Sequence, residues 1–163
     1  MDIVNGLPAH ALLVHFVVVL APLTALAEIV CGLWPAARRG QLLWVTLLLA
    51  TATMVLTPVT INAGEWLYDL RTKPTPILNE HAERGSTMIY FAAALLAVAI
   101  GLVVLRLIER RPERRRVITQ VIVGIVVLAV GISSMVQTYR TGDAGAQSVW
   151  GGEIARLKKS NGT

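Results

Sequence analysis

The chain has 163 residues, 55% hydrophobic and only 15% charged, with a net charge of +5 and a mean hydropathy of +0.62. That balance excludes an ordinary soluble domain, and the basic surplus sits at the ends of apolar runs, where it sets membrane topology and does not form a nucleic-acid surface. A single cysteine, Cys31, excludes both an intramolecular disulfide and a cysteine-ligated cluster.

Four apolar runs are each long enough to cross a bilayer as a helix, which takes about 20 residues. The expected fold is therefore all-α, a four-transmembrane-helix bundle over 1–140, followed by a polar, Gly-rich tail over 141–163. The first helix is expected over 8–33. Pro8 suits its first position, where a missing N–H costs nothing. Pro22 lies mid-run and is a place for a kink. This run lacks a basic n-region and a small-residue cleavage site, so it reads as a retained helix. Glu28 lies near its far end beside Cys31, where Arg38 or Arg39 can pair with it at the surface.

The second helix is expected over 41–70. At about 45 Å it exceeds a bilayer core, so it protrudes or bends at Pro58. Thr53, Thr57, Thr60 and Gly64 form a weakly polar stripe on it, suited to interhelical hydrogen bonds or to lining a pocket. The third helix is expected over 77–108, where Ala93, Ala97 and Gly101 recur every four residues as a close-packing stripe. The fourth is expected over 115–139, with Gly124 and Gly131 in the same role. In the tail, Val149 and Trp150 are candidates to cap the mouth of the bundle.

Basic residues give an orientation. Arg38 and Arg39 lie in the first turn, and Arg106, Arg110, Arg111, Arg114, Arg115 and Arg116 lie in or beside the third. Both turns read as cytoplasmic, which puts the two termini outside (N-out/C-out) in a bacterial inner membrane. Trp34, Trp44 and Trp66 fit interfacial belts.

The chain has three histidines, and all fall near the outer end on this topology. His10 and His15 are five residues apart on one helix, pointing about 140° away from each other. They do not suit one compact zinc site, for which a spacing of four is preferred. Each can meet a partner on another helix, and the facing of each is open. His15 with His81 is the expected pair, as axial ligands of a b-type haem or as ligands of a transition metal ion, with His10 assisting. Gly85 lies one turn beyond His81 and leaves room for a flat macrocycle. Arg84, Arg71 and Lys73 can pair with propionates. Glu65 can accept an imidazole N–H. Two other roles fit the same residues: an accessory subunit whose histidines only satisfy hydrogen bonds or hold an outer-face metal, and a small oligomeric transporter with a Glu65–His81 relay.

The stretches "LPAHALLVHF", "AGEWL", "HAERG" and the segment ending "VWGG" resemble a bacterial membrane family catalogued as domain of unknown function 2231. The resemblance covers most of the chain, and His10, His15, Glu65, His81 and the Gly-rich segment are the matching positions. The family brings no assigned activity. Some members resemble fusions to Rieske-type iron–sulfur domains, which implies membrane electron transfer. The expected partners are the lipid bilayer, a quinone, a separate iron–sulfur or cytochrome protein, and a second copy of the chain as a homodimer.

Overall fold

The computed structural model of the chain describes residues 3–4, 6–108 and 113–161, without the side chains of 4 and 113–116. A two-residue hairpin opens it, with β1 (Ile3–Val4) antiparallel to β2 (Leu7–Pro8) and Gly6 at φ +80° in the turn. Then come α1 (Ala9–Leu33), the short α2 (Pro35–Arg39), α3 (Leu42–Asp69), α4 (Pro76–Ile108) and α5 (Glu113–Ser160). The four long helices are each apolar and long enough to cross a membrane.

The starts follow the chain's chemistry. Pro35 and Pro76 open α2 and α4, where a residue without an N–H costs no hydrogen bond. Pro22 and Pro58 lie inside α1 and α3 without ending either helix. Neighbouring helices in a membrane bundle hold such a segment in place.

The fourth helix departs from expectation. It runs for 48 residues to Ser160, so the stretch read as a Gly-rich tail is helix. At 1.5 Å per residue it is about 72 Å long, far more than a bilayer core requires. Its last turns stand clear of the bundle. Trp150 is 61% exposed and caps nothing. The arginine-rich turn lies partly outside the described residues, which omit Arg110 and Arg111 and the side chains of Arg114, Arg115 and Arg116.

The long helices form a square in which each packs antiparallel on its two neighbours. α1 and α4 lie across one diagonal, and α3 and α5 across the other. Five of the eight buried positions of α1 are Val17, Ala21, Thr24, Glu28 and Cys31; Ala9, Ala25 and Gly32 are the others. The buried positions of α4 are Met88, Ala92, Leu95, Ala99 and Leu102, the pattern of the first five displaced by a constant step along the chain. The buried face of α3 recurs on α5 in the same way. Thr53, Thr57, Thr60, Ala63 and Gly64 match Ser134, Thr138, Thr141, Ala144 and Gly145. The α1–α3 hairpin thus has a counterpart in the α4–α5 hairpin, placed as by a two-fold axis along the bundle.

Close approach depends on small residues at the seams. A Cβ on Gly32 would sit 2.6 Å from Val127, and one on Gly131 would sit 2.8 Å from Ile29, so α1 and α5 touch where only glycine fits. The expected stripe on α4 does not have this role. Ala93, Ala97 and Gly101 face outward, and a Cβ on Gly101 would meet nothing within 4 Å. The buried face of α4 is one position away, at Ala92, Leu95 and Ala99.

Limited trypsin digestion of the detergent-solubilised protein is expected to cut first at Arg156, Lys158 or Lys159. All three are exposed on turns that pack on nothing, and such segments open at little cost. A first cut inside α1, α3 or α4 would contradict the packing described.

Candidate functional site

At the end of the bundle where α1 and α4 begin, His10 and His81 meet across the diagonal. Their ring centroids are 6.1 Å apart and their planes are at 76°. Each ring is anchored on the helix paired with its own. His10 Nδ1 lies 2.9 Å from the carbonyl oxygen of Thr60 on α3, and His81 Nδ1 lies 2.9 Å from that of Thr141 on α5. A carbonyl only accepts, so each Nδ1 carries the hydrogen and donates it. In a neutral imidazole that leaves Nε2 as the bare nitrogen, free to accept or to ligate.

A glycine one turn beyond each carbonyl makes room for the ring. A Cβ on Gly64 would come within 2.9 Å of His10 Cε1 and Nδ1. A Cβ on Gly145 would come within 2.9 Å of His81 Cε1. Glycine costs about 1 kcal/mol relative to alanine inside a helix, and at both positions that cost is offset by the seating of an imidazole. The two half-sites match in every part: histidine, threonine carbonyl and glycine.

Thr60 satisfies its own hydroxyl, as do its neighbours on the same stripes, whereas the buried Thr141 hydroxyl has no hydrogen-bond partner among the described residues. Thr60 and Thr57 donate to Leu56 and Thr53 carbonyls at 2.8 and 2.7 Å, and Thr138 donates to that of Ser134 at 2.8 Å. Such bonds let polar side chains line a dry helix face. Elsewhere at this end Gln137 donates to Thr87 Oγ1 at 2.9 Å and to the Arg84 carbonyl at 3.2 Å, tying α5 to α4.

The structure changes the expected pairing. His15 is exposed on the outer face of α1 and bonds the carbonyl of Ala11 one turn back, so it does not meet His81. His10 takes that place. The reason is helical register: His10, Val17, Thr24 and Cys31 recur every seventh residue along the buried stripe of α1, and His15 is off it. Glu65 is exposed and has no role as acceptor for an imidazole; the backbone carbonyls of Thr60 and Thr141 fill that role. Arg84 pairs with Glu80 and donates to the Arg140 carbonyl at 3.2 Å. Arg71 and Lys73 are exposed. Gly85 opens space, since a Cβ there would meet nothing within 4 Å. No group of three or more His, Cys, Asp or Glu side chains converges among the described residues.

A family model described as predicted membrane protein, DUF2231, matches residues 6–157. The chain belongs to that family. With its four apolar spans it is an integral membrane protein. No curated protein and no solved structure matches it.

Thr60 and Gly64 were legible as part of a polar stripe but not as the seat of His10, and Thr141 with Gly145 was not legible as the seat of His81. The signal was present as the repeated spelling "TINAG" and "TGDAG". Gly64→Ala and Gly145→Ala are each expected to lower stability by about 1–3 kcal/mol, the usual cost of overpacking. Gly85→Ala is expected to be neutral or slightly stabilising. Thermal unfolding in detergent measures all three, and equal effects at Gly64 and Gly85 would contradict the ring seats.

Proposed function

We propose that this protein is a membrane electron carrier holding a b-type haem iron between His10 and His81. The observation that carries the reading is the pair itself. Two imidazoles on opposite sides of an iron, with metal–nitrogen bonds of about 2 Å, put their ring centres about 6 Å apart. The pair has that separation, 6.1 Å, and both rings are held by Nδ1–H bonds to carbonyls, the anchoring that fixes a ligating imidazole and leaves Nε2 free.

Ligand number favours a macrocycle over a bare ion. A zinc-type ion requires three or four protein ligands, whereas a haem supplies four nitrogens of its own and requires two. An iron with both axial positions filled has no open site for a substrate, so the role that follows is electron transfer. The reductant class suited to a site in the bilayer is a quinone. The acceptor in this reading is a separate iron–sulfur or cytochrome protein on the histidine side, and the loop charges support that side as the outer one.

The test is an optical spectrum, oxidised and dithionite-reduced, of protein purified from cells supplied with haem precursor. The expected result is a Soret peak with sharp reduced α and β bands, lost in His10→Ala and in His81→Ala and kept in His15→Ala. A flat visible spectrum from folded protein would overturn the haem, and the pair would then be a hydrogen-bonded clasp between the two hairpins. Bands lost in His15→Ala but kept in His10→Ala would overturn the assignment of ligands.

A further inference from the structure

At the opposite end of the bundle the two hairpins differ. Thr24, Glu28 and Cys31 line α1, while their counterparts on α4 are Leu95, Ala99 and Leu102. Thr46 on α3 has Val127 as its counterpart on α5. One hairpin fills this level with hydrocarbon and the other fills it with polar groups, so packing alone does not call for a carboxyl here.

Glu28 is 0% exposed, and neither of its carboxyl oxygens has a hydrogen-bond partner among the described residues. The expected surface pairing with Arg38 or Arg39 does not describe such a group. Its hydroxyl neighbours on α1 and α3 offer acceptors, and the Arg38 guanidinium donates to Cys31 and Gln120. The Thr24 and Thr53 oxygens lie 3.2 Å apart, where either hydroxyl can donate to the other, and each also reaches a carbonyl of its own helix, Leu20 at 2.7 Å and Leu49 at 2.8 Å, so neither has a hydrogen to spare for Glu28. Thr46 likewise donates to Leu42 at 2.8 Å and is approached by the Cys31 sulfur at 3.6 Å. A carboxylate only accepts hydrogen bonds, whereas a neutral carboxyl carries a hydrogen of its own to give. An environment of lone pairs in a dry core therefore suits the neutral form, and an isolated buried carboxylate is costly.

A layer of polar groups lies between Glu28 and that end of the bundle. Arg38, 1% exposed, donates to the carbonyl of Cys31 at 3.2 Å and to Gln120 Oε1 at 3.2 Å, and Gln120 donates to the carbonyl of Gly32 at 2.5 Å. Among the described residues, Cys31 on its own helix and Arg38 on α2 are the titratable or charged groups near Glu28. At this level α3, α4 and α5 present Ala50, Ala99 and Gly131.

We propose that Glu28 is a proton-binding site of the membrane domain, exchanging with water on the Arg38 side through the Arg38–Gln120 layer. On release the carboxyl O–H bond breaks, the proton passes to water and the electron pair stays as the carboxylate. Uptake is the reverse. This reading uses none of the residues of the histidine pair, so the two stand or fall separately.

Infrared difference spectra of the whole protein in lipid vesicles, between neutral and alkaline buffer, test it. The expected result is a carboxylic C=O band at neutral pH that disappears reversibly in alkali, shifts in heavy water, and is absent from Glu28→Gln. Glu28→Asp, which keeps the carboxyl, is expected to move the band without abolishing it. That variant carries the test if Glu28→Gln fails to fold. A band identical in all three proteins would overturn the proposal, as would a carboxylate at neutral pH. So would a band that never shifts in heavy water, which marks a sealed group, or one removed by sodium chloride at fixed pH, which marks a metal-cation site.

Discussion

Inside a bilayer an imidazole has no water to bond, so its partner has to come from the protein. His10 and His81 find theirs on the carbonyls of Thr60 and Thr141, on the helices packed beside them. Much of this end of the bundle depends on that constraint. A carbonyl inside a helix is reachable only where the ring lies flat on the helix surface, which requires glycine one turn beyond. The helix itself has to continue past the level of the ring, which is why α5 remains helical through Gly142 and Gly145.

The same arrangement repeats across the bundle, and the repetition makes the differences informative. At the histidine end the two hairpins carry the same three parts, and the result is a pair of like side chains facing each other across the axis. Such a pair suits a ligand approached from two sides by the same chemistry. At the other end the hairpins differ, one having leucine, alanine and valine where the other has threonine, glutamate and cysteine. A carboxyl introduced on one side of a two-fold plan is a feature of one hairpin only. The two ends thus have different characters, one shared between the halves and one belonging to the first.

Much of the fold was legible in the sequence, because bilayer thickness sets the length of each apolar run and proline or clustered charge ends it. Helix starts at Ala9, Leu42 and Pro76 lie within a residue of expectation. The end of α5 was not legible. Glycine and polar residues after Thr141 spell a loop by propensity, whereas the segment is helix to Ser160 and packs against His81 at Thr141 and Gly145. The choice between His10 and His15 was legible in principle. His10 shares a seven-residue rhythm with Val17, Thr24 and Cys31, and His81 shares it with Met88, Leu95 and Leu102. His15 lies deeper along α1 than His10, but depth is a poorer guide than register, because a side chain five residues on lies on the exposed face. The burial of Glu28 was hidden for a related reason. Nearby arginines suggest surface pairing, while the stripe through Thr24 and Cys31 points inward.

The central claim is that His10 and His81, each with its hydrogen on Nδ1, face one another at one end of the bundle. Solid-state NMR of nitrogen-15 histidine-labelled protein in lipid bilayers tests it most directly. The account predicts that His10 and His81 both show a protonated Nδ1, with Nε2 either bare or shifted by a metal, and that their rings give a mutual cross-peak that His15 does not share. Protonated Nε2 on either ring, or a cross-peak joining His81 to His15, would contradict it.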